Sequence, residues 1–223
     1  MIKHFSLNSK QRILTGTALI AVLITSILYL PPMCLSIAVL LCMHLMIQEL
    51  QAMVQSRLQF FLLVPFYPII PCLILIALHE NINSKPLFTY LFAIVFTFDS
   101  ASYLVGKIWN KLGTVHKIAP KISPGKSWQG AFGGYVITTI LLQTIFLYQQ
   151  KPFTWILPLV TLTISMIALA GDLFESYLKR SAGLKDSGNI LPGHGGLLDR
   201  FDAILATSYF FFIFQKQLIL FFS

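Results

Sequence analysis

Charge is scarce in this chain. Only 11% of its 223 residues are Asp, Glu, Lys or Arg, against the roughly 25% of a soluble domain. Acids are scarcer still, eight against sixteen basic residues. That balance excludes a water-soluble globular fold. Cysteine is limited to Cys34, Cys42 and Cys72, each inside an apolar run and without the Cys/His spacing of a zinc site, so neither a disulfide framework nor a zinc module is expected. Polar residues are not spread along several apolar runs and no internal repeat is visible, which argues against a transporter.

Apolar residues are what the chain has in excess, at 56% with a mean hydropathy of +0.76. Runs of about 17 to 25 apolar residues cross a bilayer as helix. Seven stand out: 12–30, 32–54, 59–78, 86–106, 131–149, 153–175 and 203–222. The expected fold class is therefore all-α, a polytopic integral membrane protein with about seven transmembrane helices. Lys10 and Arg12 precede the first run as in a signal peptide, but no small-x-small cleavage site follows it, so a retained anchor is expected. Trp128 and Trp155, near the ends of runs, read as interfacial anchors.

Basic residues set the orientation, because short loops rich in Lys and Arg stay cytoplasmic. With the N-terminus inside, only Lys85, Lys151 and Lys216 of the sixteen fall outside. Both long polar connections, 107–130 and 176–202, are then cytoplasmic. Lys3, Lys10 and Arg12 read as contacts to anionic headgroups, and no nucleic-acid partner is expected. Of the eight acids, six lie between 99 and 202: Asp99, Asp172, Glu175, Asp186, Asp199 and Asp202. Carboxylates at membrane depth are costly and usually face a protein interior or a wet cavity, so their clustering implies something cationic between them. Glu49, in a run otherwise apolar, has no explanation at this level.

Asp172, Glu175, Ser176, Lys179 and Arg180 stand at i, i+3, i+4, i+7 and i+8, the spacing of one helix face. The run from Ile156 is expected to continue as helix past the membrane surface, with Leu173, Phe174, Tyr177 and Leu178 on its other side. Asp199 and Asp202, also i and i+3, begin the last span. Two carboxylate-bearing helix ends suit a hard cation such as Mg²⁺, which takes oxygen ligands and substrate phosphates. Lys179, Arg180, Lys185 and Arg200 would balance phosphate charge, and the glycine-rich PGHGG and SAG turns suit amides that cradle an anion. The competing reading is a charged turn whose acids and bases merely pair.

The order of residues adds a resemblance. Ser176-x-x-Lys179-Arg180, Lys185-Asp186 and Leu191-Pro192-x-His194-Gly195-Gly196-x-x-Asp199-Arg200-x-Asp202 closely resemble the signature of the phosphatidate cytidylyltransferases, the CDP-diacylglycerol synthases. Upstream, Asp99-Ser-Ala-Ser-Tyr103-Leu-Val-Gly106 is similar to that family's Asp-x-x-Ala-Tyr-x-x-Gly element. Ser123-Pro124-Gly-Lys126-Ser127-Trp128-Gln129-Gly130 is similar to its Ser-Pro-Lys-Lys-Thr-Trp-Glu-Gly segment. Gly125 stands in place of a second Lys, and Gln129 in place of Glu. If that Glu binds a metal or nucleotide, Gln lowers activity; if it is a cap or packing contact, Gln serves. The resemblance divides the chain into 1–98, N-terminal transmembrane helices (three plus most of the fourth) shortened relative to the family, and 99–223, a catalytic membrane domain with cytoplasmic loops 107–130 and 176–202.

The resemblance implies the reaction of CTP with phosphatidate to give CDP-diacylglycerol and pyrophosphate. It implies a catalytic set of Asp172, Asp186, Asp199, Asp202, Lys185 and His194, with Asp172, Asp199 and Asp202 as ligands of Mg²⁺ and a second cation allowed. Substrate contacts would come from Ser123, Lys126, Ser176, Lys179, Arg180, Arg200, Gly195 and Gly196. For His194, loop organisation or a pyrophosphate contact is preferred over general-base work, because an ionised phosphate monoester hardly needs a base. Asp99 and Tyr103 either line a lipid entrance or metal shell, or form an intramembrane acid satisfied by a neighbour. Expected partners are CTP, phosphatidate, the bilayer and a second copy in a homodimer. The expected location is the bacterial inner (plasma) membrane, with N-terminus and site cytoplasmic. The alternatives are an inactive or partner-binding paralogue and a CTP-dependent enzyme acting on another membrane lipid.

Overall fold

Proline and glycine punctuate a bundle of long helices. The computed structural model describes residues 25, 31–188, 190 and 195–222. Helix α1, Pro32–Met53, opens with proline in its first turn, where the missing N–H removes no bond. Helices α2, Arg57–Val64, and α3, Ile70–Glu80, are joined by a π-helical turn at Pro65–Ile69 containing Pro65 and Pro68. Proline breaks the regular i→i−4 ladder, and the wider turn absorbs the break without ending the span.

Helix α4, Lys85–Leu112, has 28 residues and a length of about 42 Å, longer than the roughly 30 Å apolar core of a bilayer. It is long enough for its last turns, which carry Lys107 and Lys111, to extend past the hydrocarbon. Leu87, Phe88, Leu91, Phe92, Ile94, Val95 and Phe98 are buried along it, making α4 the axis of the main core, which also holds Leu142, Phe146, Leu157, Ile164, Ala168 and Ile204. Helix α5, Trp128–Tyr148, lies against α4 through small residues. A Cβ on Gly134 would stand 2.0 Å from Ser102 Oγ, a backbone approach that small residues permit in membranes. Trp128 and Trp155 are 54% and 82% exposed, at the starts of α5 and of α6, Ile156–Ser181.

Between α4 and α5 the all-α pattern is interrupted by an antiparallel hairpin of β1, Lys117–Ala119, and β2, Ser123–Ser127. Ser127 caps α5, its Oγ accepting the Gly130 amide at 3.1 Å.

The expected count of seven spans is not reached among the described residues. Five helical segments are long and apolar enough to cross, and a sixth is a bent pair. Of the expected span 12–30 only residue 25 is described. The expected straight span 203–222 is corrected: helix α7 begins earlier and runs Leu198–Ile213, then turns by 89° into α8, Gln215–Phe222. Gln215, Lys216 and Gln217 stand at the bend, where polar side chains do not continue through hydrocarbon. Phe222 stacks on Tyr90 with centroids 4.2 Å apart and its carbonyl accepts from Lys151 Nζ at 2.5 Å, fixing α8 against the bundle.

Candidate active site

The polar stripe of α6 points inward. Glu175, Ser176 and Lys179 are buried and Asp172 is half-buried, while Phe174 and Tyr177 on the other side are exposed. Leu173 and Leu178, also on the apolar side, are half-buried against the two cores. The helix ends at a left-handed Gly183 (φ +71), with the Leu184 amide donating back to the Lys179 carbonyl at 2.8 Å, a glycine stop that pairs the last carbonyls.

Helix α7 meets α6 almost backbone to backbone. A Cβ on Gly171 would lie 2.8 Å from the Asp202 carbonyl oxygen and 2.6 Å from Ala206 Cβ. That contact seats Asp172, next along α6, at the level of Asp199 and Asp202 on α7. Lys179 is buried between Glu175, whose Oε2 it reaches at 2.5 Å, and Asp199 Oδ1. The side chains of Lys179, Glu175 and Asp199 are only 10%, 1% and 8% exposed. One ammonium group thus bridges two buried carboxyl groups, one on α6 and one on α7. The remaining Asp199 oxygen, Oδ2, accepts from the Ser187 amide at 3.0 Å, Ser187 Oγ at 3.0 Å and the Gly196 amide at 2.8 Å.

Both polar connections reach the same place. Lys126 of β2 pairs with Asp172 of α6, and Arg180 of α6 donates to the Ile122 carbonyl in the hairpin turn at 3.1 Å and to the Leu184 carbonyl at 3.0 Å. Under them lies a cavity of about 700 Å³. Phe92, Phe96, Phe98, Leu169 and Phe201 form its apolar wall, and Asp99, Lys126, Asp172, Asp199, Arg200 and Asp202 its polar wall. Asp202 is 6% exposed, with Oδ1 accepting the Ala203 amide at 2.7 Å.

Of the residues singled out from sequence, Lys126, Asp172, Asp199, Arg200 and Asp202 meet on the cavity wall, joined by Asp99 and Tyr103. Ser176 and Lys179 lie buried one layer behind, Ser176 Oγ donating to Asp172 Oδ1 at 3.4 Å. Lys185 and Asp186 are exposed and Ser123 is half-buried, all three off the cavity wall. Arg180 is spent on backbone carbonyls. Gly195 (φ +84) bends the chain beside Asp186 and Asp199, and the Gly196 amide is taken by Asp199. His194 lies outside the described residues.

Gln129 does not line the cavity. Its Oε1 accepts the His116 amide at 3.2 Å and its Nε2 faces His116 Nδ1 at 3.0 Å, so it closes the base of the hairpin as a packing contact. The residue that sequence reasoning missed is Glu49, which is buried against Ser187, Leu197 and Leu198. Its only signal was isolation, as the one acid in an apolar span.

With this geometry the comparisons with known proteins agree. A family model described as the cytidylyltransferase family matches residues 54–218. The chain belongs to the cytidylyltransferase family. It is 36% identical over 208 residues to a phosphatidate cytidylyltransferase of Rickettsia bellii, covering 90% of this chain and 88% of that protein. It is 39% identical over 145 residues to the phosphatidate cytidylyltransferase of Haemophilus influenzae, with 60% and 48% covered, and 47% identical over 121 residues to that of Bacillus subtilis, with 52% and 44% covered. This cytidylyltransferase-family chain thus spans about half the length of the latter two relatives and most of the first. Its matched segment contains both connections and every cavity residue named above.

Proposed function

We propose that the chain transfers the cytidylyl group of CTP to phosphatidate, giving CDP-diacylglycerol and pyrophosphate. The observation that carries this reading is the cavity, whose aromatic wall continues into a polar end holding Lys126, Arg200 and four aspartates. A lipid phosphate needs such a junction, since its chains stay in hydrocarbon while its headgroup meets a water-soluble nucleotide. A phosphatidate oxygen attacks the α-phosphorus of CTP, the bond to the β-phosphate oxygen breaks, and pyrophosphate leaves. Orientation and charge stabilisation supply the acceleration. Lys126 and Arg200 bind phosphate oxygens, while Lys179 stays with Glu175 and Asp199 and holds α6 to α7.

Asp172 and Asp202 offer hard oxygen donors on the cavity wall, the donor chemistry that fits Mg²⁺. Among the described residues no group of three or more His, Cys, Asp or Glu side chains stands ready to hold a metal, so a cation here would have to complete its shell with phosphates or water. Asp199 fits less well as a ligand, one oxygen being held by the buried Lys179 and the other by three donors, whereas Asp172 meets one serine and the more exposed Lys126. When bound, the cation would draw charge from the reacting phosphates. The same reading puts both connections on the cytoplasmic side of a bacterial inner membrane, supported by the distribution of Lys and Arg. A homodimer belongs to it through the resemblance alone.

The test is purified protein in detergent with radiolabelled CTP, phosphatidate and Mg²⁺, scored for lipid-extractable nucleotide. Product with phosphatidate and none with a polyprenyl phosphate is expected. Product only with the second lipid, or with neither, overturns the proposal.

A further inference from the structure

Glu49 comes from α1, yet among the described residues its side-chain hydrogen bonds go to the α6–α7 connection and the first residue of α7. Its carboxylate is buried, with the residue 5% exposed. Oε1 accepts the Leu197 amide at 2.8 Å across 148 residues, Oε2 accepts the Leu198 amide at 2.8 Å, and Ser187 Oγ lies 3.2 Å from Oε2. Helix α7 has no side-chain cap of its own, so its first amides would otherwise be buried and unpaired. A carboxylate from another helix supplies both the acceptors and the negative charge that a helix N-terminus favours.

The network extends to the cavity wall. Ser187 Oγ lies between Glu49 and Asp199 Oδ2, 3.0 Å from the latter. Two glycines fit around the carboxylate: a Cβ on Gly188 would stand 2.6 Å from Glu49 Oε1, and one on Gly196 would stand 2.7 Å from that oxygen and 1.9 Å from Ser187 Oγ. Met46, Leu50, Met53, Leu197 and Leu198 form one buried cluster around it, which keeps water from competing for the amides.

We infer that Glu49 is a positioning residue for the proposed reaction: it locks the first turn of α7, and with it Asp199, Arg200 and Asp202, to helix α1. Two consequences follow. Helix α1 is a working part of the site although Glu49 lies outside the family-matched segment, 54–218. The first amides of α7 are occupied by the protein's own carboxylate and are closed to substrate phosphate. The lock stands on geometry alone, while its bearing on catalysis rests on the function proposed above.

The full chain in detergent is compared as wild type, Glu49→Gln, Glu49→Asp and Ser187→Ala, by hydrogen exchange of peptides covering 195–201, α4 and α5, and by kcat and KM for CTP and phosphatidate. Gln keeps the volume but turns an NH₂ toward a backbone N–H. Glu49→Gln is expected to raise exchange in 195–201 by about tenfold or more with α4 and α5 unchanged. It should lower kcat by about 10- to 100-fold, the range for residues that orient a site from behind, with both KM values within about threefold. Glu49→Asp, one methylene shorter with its charge kept, should recover part of kcat, and Ser187→Ala should lose less than Glu49→Gln. Unchanged exchange in 195–201, wild-type kcat in Glu49→Gln, or exchange rising equally in α4 and α5 each overturns the inference. Loosening confined to 195–201 in a chain whose wild type makes no product upholds the lock and overturns the proposed reaction.

Discussion

The two polar connections are held in opposite ways. The hairpin between α4 and α5 is tied to the bundle by the Lys126–Asp172 ion pair, whose side chains are 21% and 29% exposed, and by Arg180 donating to a turn carbonyl. The connection between α6 and α7 is tied by three buried carboxyl and ammonium groups and by Glu49. Water weakens the first set of contacts and is excluded from the second, where each unmade bond costs more. The difference separates two jobs. The buried connection sets the geometry of the aspartates, and under the proposed reaction the exposed one presents a lysine that phosphate would draw from its carboxylate.

Substitutions can break this contrast, beginning with the largest effect. Lys179→Met leaves Glu175 and Asp199 buried without their cation, a loss of about 3–5 kcal/mol. It should depress the thermal unfolding midpoint in detergent more than any change in the hairpin. Asp172→Asn removes a wall carboxylate at a half-exposed position. Activity is expected to fall by about 10²–10³-fold with the unfolding midpoint nearly unchanged, and an active Asn variant would take Asp172 out of the site. Arg180→Ala cuts the hairpin strap at the surface, with an expected rise of about fivefold in KM for CTP, equivalent to about 1 kcal/mol, and little change in kcat. A fall in kcat alone would instead place Arg180 on the reacting phosphates.

The smallest change is expected for Gln129→Glu, which restores the residue usual in the resembling family. Here it removes the donor facing His116 Nδ1 at a partly exposed position, so activity should stay within about twofold of wild type. A large gain on that substitution would mean that position 129 touches nucleotide or metal, and that the hairpin is more than a lysine carrier.

Much of the site was legible because membrane depth makes charge expensive. Asp172, Asp199, Asp202 and Arg200 stood out as charges clustered in a mostly apolar chain, Lys126 stood out through the resemblance, and they share one wall. Asp186, Lys185 and Arg180 carried the same signal, and Ser123 the resemblance, without reaching the cavity, since residue type and spacing do not say which face of a loop points inward. The α6 stripe was legible from its period. The bend at Phe214 was not, because a straight apolar run and a run that turns along the surface have the same composition. Glu49 was visible only as an anomaly, since its partners are backbone amides, which no side-chain pattern records.

The amino-acid sequence by itself determined the class of protein: apolar runs long enough to span a bilayer, basic residues concentrated on one side of them, and an order of Ser, Lys, Asp and Gly residues that carries the family. The tertiary structure decided the division of labour among the charges. Lys179 and Arg180 are neighbours in the chain, yet one is buried between two carboxylates and the other straps a surface hairpin, because adjacent residues on a helix point about 100° apart. The segment 176–202 likewise gains its anchor from Glu49, more than a hundred residues earlier. Burial turns that distant carboxylate into the partner of amides that have no other, and only the folded chain brings them together.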